Sequence, residues 1–342
     1  MKIISVVNQK GGCGKTITSI NLAAALSRKK SNVLLIDLDP QGHATSALGN
    51  KSGVSITALL EKTINDQPLP EKDITVKLNE NLHIIPSSIG LAATEHLLNN
   101  NKNKLQALSI LINKINKIHN FDNIIIDCPP NLGLLTINAL VVSTYALSPL
   151  QLCNFSLNGV EMLKNILIMV REFKGSAPTP LYIFNQIDLR SRFSREFAMR
   201  TGRILGSSLL KTSIRKNIHL REAASYGKDI FTHKPASNGA QDFQALADEI
   251  SKLTMGKTWT QFSIKAKHND EVYLVGDFNN WQKNEQYKLM KLGEDIWTIT
   301  LPLSKGVYRY KFLSGNEWFT DPHNKVIEND SYGGKNSLLT VQ

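Results

Sequence analysis

The chain has 342 residues, enough for about two domains at roughly 150 residues each, and its 42% hydrophobic and 20% charged content excludes a peptide hormone, a small toxin and wholesale disorder. The net charge of +11 is uneven along the chain: residues 1–255 carry 29 Lys+Arg against 19 Asp+Glu, residues 256–342 only 11 against 10. All four tryptophans and 13 of the 24 aromatics lie after residue 255, so two domains of different kind are expected.

Three cysteines, Cys13, Cys128 and Cys153, form no C-x-x-C pair. Neither a disulfide framework nor a zinc or iron–sulfur ligand set is indicated. The opening residues run straight into a strand, and no apolar stretch approaches the roughly 20 residues that span a bilayer. A cytoplasmic protein without a membrane partner is the expectation.

In chain order, residues 3–7, 33–37, 82–85, 123–127, 145–150 and 181–185 are short apolar runs, the pattern of strands buried on both faces. Helical periodicity fills 16–30, 91–99, 104–118, 156–173 and 239–254. The alternation predicts a doubly wound, mainly parallel α/β sheet, whose ligands bind at the carboxyl ends of the strands. After residue 256, segments 258–267, 271–278, 296–303, 306–314 and 337–342 are short and rich in β-branched and aromatic residues, which predicts an all-β sandwich. The boundary falls at Met255-Gly256-Lys257, giving domains 1–254 and 258–342.

The first strand leads into Asn8-Gln9-Lys10-Gly11-Gly12-Cys13-Gly14-Lys15-Thr16 and then a helix. Amides of a Gly-rich turn at a helix N-terminus cradle phosphate oxygens, Lys15 adds a point charge and the Thr16 hydroxyl suits Mg²⁺. Gln9 stands where the strict P-loop pattern has its first glycine. Two further strands end in carboxylates: Asp37-Leu38-Asp39-Pro40, and Asp127-Cys128-Pro129-Pro130. Asp127 is placed to hold a magnesium hydration shell; spacing leaves open whether Asp37 or Asp39 faces a γ-phosphate, and either residue could instead cap a helix.

The stretch from Lys10 to Thr16, with Asp37-Leu-Asp-Pro-Gln-Gly-His-Ala-Thr45, Leu82-His-Ile-Ile-Pro-Ser87 and Asp127-Cys-Pro-Pro-Asn-Leu-Gly-Leu-Leu-Thr-Ile-Asn-Ala-Leu140, resembles the ParA/Soj chromosome and plasmid partition ATPases, relatives of MinD with a deviant Walker A loop. The resemblance covers residues 1 to about 252. It implies a P-loop NTPase that hydrolyses ATP with Mg²⁺, Lys15 on the β/γ-phosphates, Thr16 and Asp127 at the metal with Asp37 as a further metal candidate, and Asp39 orienting the attacking water. Gly11, Gly12, Cys13, Gly14, Lys15, Thr16 and Ile17, together with Asp127 and Asn185, are the nucleotide-binding candidates. Lys10 matches the signature lysine that reaches the partner's phosphates in an ATP-bound homodimer, as an arginine finger does in trans. Ile17 departs from the family's second threonine and removes a hydroxyl near the α-phosphate.

Residues 171–234 hold 13 Lys+Arg, eight of them Arg, against five acids, the footprint of polyanion binding. The resemblance assigns such a surface to non-specific DNA; the alternative is a solvated basic face. Ser213-Ile-Arg-Lys-Asn-Ile-His-Leu-Arg-Glu-Ala-Ala-Ser-Tyr-Gly227 is similar to a family segment, with Arg215 in place of a proline and His219 in place of an arginine. Arg215, Lys216 and Arg221 are the DNA candidates.

Beyond residue 260, Val272-Tyr-Leu-Val-Gly-Asp-Phe-Asn-Asn-Trp281, Trp297, Gly306-Val-Tyr-Arg-Tyr-Lys-Phe312, Glu317-Trp318, Asp321-Pro322 and Asn336-Ser-Leu-Leu-Thr-Val341 resemble the glycogen-binding module of the AMP-activated protein kinase β subunit, in carbohydrate-binding module family 48. An immunoglobulin-like sandwich follows from that likeness, and Trp281, Lys311, Trp318 and Asn336 match its α-glucan site. Tyr308 and Trp297 are expected to fill the core. The turn Ser314-Gly315-Asn316 departs from the family's Asp-Gly. Together the two halves suggest a positioning ATPase, nucleoid-associated when ATP-bound, with a ParB-like activator or cargo adaptor and an α-glucan tether. The alternative is a scaffold or regulatory ATPase whose β module docks a protein.

Overall fold

The computed structural model describes residues 1–49, 53–70, 73–153, 156–188, 190–253, 257–265, 271–292, 296–304, 306–330 and 333–341. Met255 and Gly256 of the predicted junction lie outside the described residues. The chain divides into two compact units: Met1–Phe197 with Leu210–Glu249, and Ala198–Leu209 with Ile250–Gln342.

In the first part of the chain, β1 (Lys2–Val6), α1 (Lys15–Arg28), β2 (Val33–Asp37), α2 (His43–Ala47), α3 (Ile56–Ile64), β3 (Val76–Lys77) and β4 (Leu82–Ile85) are followed by α4 (Leu91–Asn99), α5 (Ala107–Ile118) and β5 (Asn123–Asp127). Next come α6 (Leu134–Val142), β6 (Tyr145–Leu150), α7 (Ser156–Lys174), β7 (Thr179–Ile187), α8 (Arg192–Leu205), β8 (Leu209–Arg215), α9 (His219–Ser225), α10 (Ile230–His233) and α11 (Asn238–Leu253). The strands form one eight-stranded sheet in the order β3-β4-β2-β5-β1-β6-β7-β8. Pairs β4–β2, β2–β5, β5–β1, β1–β6 and β6–β7 are parallel, and β3 runs antiparallel to β4.

Every residue of β2, β5 and β6 is buried, which is why these strands read as mostly continuous apolar runs instead of alternating ones. The helices bury one stripe each: α5 sinks Leu108, Leu111, Ile112 and Ile115, the i, i+3, i+4, i+7 series. The doubly wound sheet expected from the alternation is the one found. Its β1 lies between β5 and β6, and β5 in turn meets β2, so the carboxyl ends of β1, β2 and β5 are adjacent.

The C-terminal part is built from β9 (Lys257–Lys265), β10 (Val272–Gly276), β11 (Met290–Leu292), β12 (Ile296–Ser304), β13 (Gly306–Ser314), β14 (Glu317–Phe319), β15 (Ile327–Asn329) and β16 (Lys335–Val341). One sheet runs β10-β13-β16-β15 with β14 on β13, and a second runs β11-β12-β9; all pairs are antiparallel. Phe262, Ile264, Leu274, Trp297, Ile299, Tyr310 and Phe312 form the core, with Tyr308 half-buried against it. The β sandwich is therefore as expected, and Trp297 and Tyr308 pack where the sequence put them.

Candidate nucleotide site

Gly14 caps α1 with φ +91°, a left-handed conformation that L side chains disfavour. A Cβ there would sit 2.2 Å from Asn185 Nδ2. That amide donates to the Cys13 carbonyl at 2.7 Å, while Gln151 Nε2 and Gln186 Nε2 donate to the Gly12 carbonyl at 3.1 and 3.3 Å. Three side-chain amides from β7 and the segment after β6 thus hold the loop's carbonyls from outside. Asn8 fixes the entry: its Nδ2 donates to Pro149 O at 2.7 Å, and its Oδ1 accepts from the Lys10 amide at 2.9 Å. The first N–H groups of α1 have no intrahelical acceptor, and the turn carries them together with the helix dipole.

Lys15 is buried, and its ammonium donates to the Lys10 carbonyl at 3.3 Å. The Lys10 ammonium is turned to Gln151 Oε1 at 2.8 Å and Cys153 Sγ at 3.1 Å. Cys13 is buried, and burial pushes its thiol up from the ordinary value, the opposite of an activated thiolate. Ile17 is half-buried on the first turn of α1.

Asp127 ends β5 and is paired in register with Asp37, which ends β2. Both are fully buried. Their carboxylates are disposed differently. Asp37 Oδ2 accepts from the Thr45 amide and hydroxyl, each at 2.7 Å, so it anchors the start of α2. Asp127 Oδ1 accepts from Ser19 at 2.8 Å, whereas its Oδ2 is buried with no hydrogen-bond partner. Burial, reinforced by the Asp37 carboxylate and offset in part by the Ser19 and Thr16 hydroxyls, pushes the Asp127 carboxyl up to about 7. Burial is also the main cause that raises Asp37. A desolvated carboxylate with an orphaned oxygen beside a second carboxylate is stabilised by a cation, and the Thr16 hydroxyl and Lys15 stand on the adjoining turn. These residues fit a magnesium–nucleotide group.

Asp39 is buried; its Oδ1 accepts from the Gln41 amide at 2.9 Å. Its backbone carbonyl accepts from Ser87 Oγ at 2.6 Å, and the Ser87 amide donates to Thr45 Oγ1 at 2.9 Å. Ser87 closes the Leu82–Ser87 motif, so that motif clamps both ends of the Asp39–Thr45 segment.

The DNA candidates Arg215, Lys216 and Arg221 are all exposed. Arg215 is committed: its amide and guanidinium donate to Asp242 at 2.6–3.1 Å, and Nη2 also reaches Asn238 O and Gln241 Oε1.

In the β module, alternation along β13 puts Phe312 in the core and Lys311 and Leu313 on the outer face. Trp318 pairs with Leu313, and the register Tyr310 to Ser337 sets Asn336 level with Lys311. Trp281 packs on Tyr273, Val275 and Leu313, held by Nε1 donating to Asp277 at 3.1 Å. The Trp281 and Trp318 rings lie 6.5 Å apart at 36°, and Trp318 is 49% exposed. The Lys311 ammonium pairs with Asp330 at 2.6 Å; Asn336 is buried, its Oδ1 without a partner.

A family model described as an AAA domain matches residues 1–177, and one described as the glycogen recognition site of AMP-activated protein kinase matches residues 259–342. Over 256 residues the chain is 37% identical to the sporulation initiation inhibitor protein Soj of Bacillus subtilis, covering 73% of this chain and 98% of Soj. The chain belongs to the Soj/ParA family of partition ATPases. It is also 32% identical over 258 residues to the chromosome partitioning protein ParA of Myxococcus xanthus, covering 75% of this chain and 90% of that one. Among solved structures, cobyrinic acid a,c-diamide synthase of Mycobacterium smegmatis, with bound ADP and magnesium, has a TM-score of 0.62 at 28% identity over 74% of this chain and 94% of its own. The septum site-determining protein MinD of Pyrococcus horikoshii, complexed with Mg-ADP, has a TM-score of 0.57 at 25% identity, covering 74% and 97%.

This Soj/ParA ATPase thus carries a P-loop domain followed by a carbohydrate-binding-module-like β sandwich. No helix among the described residues is long and apolar enough to cross a membrane. Sequence reasoning quoted Asn8, Thr45 and Ser87 within motifs without giving them a role, and missed Gln151 and Gln186, whose contacts to the Gly12 carbonyl cross 139 and 174 positions of sequence.

Proposed function

We propose that this ATPase is a nucleotide-gated positioning switch: it binds ATP with Mg²⁺ in the P-loop, dimerises, binds DNA without sequence preference, hydrolyses ATP to let go, and uses its β module to hold an α-glucan. The observation that carries the ATP half is the meeting of Lys15, Thr16 and the partnerless, buried Asp127 oxygen at the carboxyl ends of adjacent parallel strands. Thr16 and Asp127, the latter partly through water, would hold Mg²⁺, which when bound would neutralise charge on the phosphate oxygens. Gly11–Ile17 present their amides to the phosphates, and Lys15 supplies the fixed positive charge.

Asp39 orients the attacking water, its position set by Ser87 and Gln41. Asp37 holds α2 in place through Thr45 and leaves the direct metal role to Asp127. Asn185 braces the loop from behind. Lys10 is parked on Gln151 and Cys153; in a homodimer it leaves these partners and crosses to the facing nucleotide, so dimerisation completes the site.

Exposed Lys216 and Arg221 contact phosphates of DNA, which makes the ATP-bound dimer nucleoid-associated in the cytoplasm, with a ParB-like activator or cargo adaptor accelerating release. The α-glucan reading rests on the two tryptophans, whose neighbouring rings form an apolar platform for sugar faces. A protein-docking module remains the second reading, favoured by the ion-paired Lys311 and the buried Asn336, neither of which is turned to solvent.

The test is retention on DNA of unrelated sequence. Wild type should be retained with ATP and not with ADP, weakening steeply as salt rises, and Lys15→Ala should not be retained with either. Retention of Lys15→Ala equal to wild type would overturn the switch.

A further inference from the structure

Helix α9 turns into α10 through Tyr226-Gly227-Lys228, with Gly227 at φ +69° and a Cβ there only 3.3 Å from Gly49 Cα, so the turn is fixed closely against its surroundings. Asp229 caps α10 by accepting from the amides of Phe231 and Thr232. The Ile230 amide donates to Asn21 Oδ1 of α1 at 2.8 Å. These restraints bring three metal-ligating side chains together. His219 and Glu222, three residues apart, share one face of α9, and His233 ends α10. His219 Nδ1 lies 2.7 Å and His233 Nε2 3.6 Å from Glu222 Oε2, and all three ligand atoms fall within 4.8 Å of one another.

We propose that His219 Nδ1, Glu222 Oε2 and His233 Nε2 form a binding site for one divalent transition-metal ion, zinc being the ion that suits two imidazoles and a carboxylate. Zinc bonds of about 2.0–2.2 Å in a tetrahedron place ligand atoms roughly 3.4 Å apart. The Glu222–His233 separation is already at that value. The Glu222–His219 hydrogen bond must open slightly and the two imidazoles approach slightly, movements within side-chain rotation. Tyr226 stacks on the His233 ring at 5.4 Å and 20°, and the His219 backbone is fixed by its amide donating to Asn217 Oδ1 at 2.9 Å. Glu222 supplies the negative charge, and His219 is the main cause that holds its carboxyl below the usual carboxylate range.

The three residues are half-buried, which leaves the fourth position to water. Two imidazoles with one carboxylate suit zinc and its neighbours better than Mg²⁺, which prefers oxygen ligands, so the site is chemically separate from the P-loop. A bound ion ties α9 to α10 and adds positive charge to the stretch that carries Lys216 and Arg221.

The experiment titrates Zn²⁺ into the metal-stripped full chain in excess Mg²⁺, read by competition with a chromogenic chelator, with Co²⁺ as a second probe read by its visible d–d bands. Wild type should take up one equivalent, show imidazole-coordinated cobalt, and melt at a higher temperature with Zn²⁺ than without. His219→Ala and His233→Ala should each weaken binding by on the order of 100-fold or more, with unchanged far-ultraviolet circular dichroism; Glu222→Gln, which keeps the shape of the side chain, should weaken binding too. A wild type that takes up no Zn²⁺, or a His219→Ala/His233→Ala double variant that binds it as tightly as wild type, would overturn the site.

Discussion

Replacing Gly14 with alanine perturbs the P-loop at one atom. The residue sits at φ +91°, where a Cβ costs about 1–2 kcal/mol in left-handed strain. The same Cβ would lie 2.2 Å from Asn185 Nδ2, more than an ångström inside contact distance, so Asn185 must swing away. Its hydrogen bond to Cys13 O is then lost in a buried setting, which costs about 1–3 kcal/mol. The sum is about 2–5 kcal/mol. At roughly 2–4 °C per kcal/mol for a domain of this size, the P-loop unit should melt about 4–20 °C lower.

Circular dichroism melting measures that loss, and a fluorescent ADP analogue measures nucleotide affinity, which should fall with it. The two terms separate in a double-mutant cycle. Asn185→Ala removes the obstacle but not the strain, and both singles lose the same hydrogen bond, so Gly14→Ala/Asn185→Ala should be less destabilised than the sum of the singles by that shared loss, about 1–3 kcal/mol. Strict additivity would refute the clash, and a Gly14→Ala protein that melts with the wild type would refute the strain as well.

Arg215 tests whether a basic residue is structural or DNA-contacting. Because its guanidinium is spent on Asp242, Arg215→Ala should lower the melting temperature by an amount equivalent to about 1–2 kcal/mol, allowing for its partial exposure, whereas Lys216→Ala/Arg221→Ala should abolish DNA retention and leave melting unchanged. The converse pattern would reverse the assignment. In the β module, Trp318→Ala should stop co-sedimentation with glycogen at unchanged stability, since the side chain is half exposed. Trp281→Ala should stop it and also destabilise the module by about 2 kcal/mol, through lost packing on Tyr273, Val275 and Leu313. If the wild type does not pellet with glycogen and neither variant changes anything measurable, the glucan reading falls and the protein-docking reading stands.

The central strands were legible because a strand covered on both faces is apolar along its length, as 33–36 and 124–126 are, with the carboxylates only at the ends. Elements that satisfy weaker constraints were not. The mainly apolar stretch 134–142, buried at most positions, became α6, a case that periodicity cannot separate from a strand. β8 (Leu209–Arg215), which ends the sheet, carries exposed basic residues that read as charge and not as a strand. β11, β14 and β15 have three residues each, too few to show a period.

For the sites, the sequence by itself determined which residue types stand at strand ends and in the Gly-rich turn, because phosphate and metal chemistry demands those types locally. It placed Asp37 and Asp127 in the same functional neighbourhood and singled out Trp281 and Trp318. Only the tertiary structure decided how they divide the work. Asp37 is bound to Thr45 while one Asp127 oxygen is bound to nothing; Arg215 is tied to Asp242 while Lys216 and Arg221 face solvent; and His219, Glu222 and His233 meet across a turn. Local chemistry is written in the order of residues. The partner that satisfies or leaves open a buried polar atom comes from elsewhere in the chain, and that is fixed only when the chain folds.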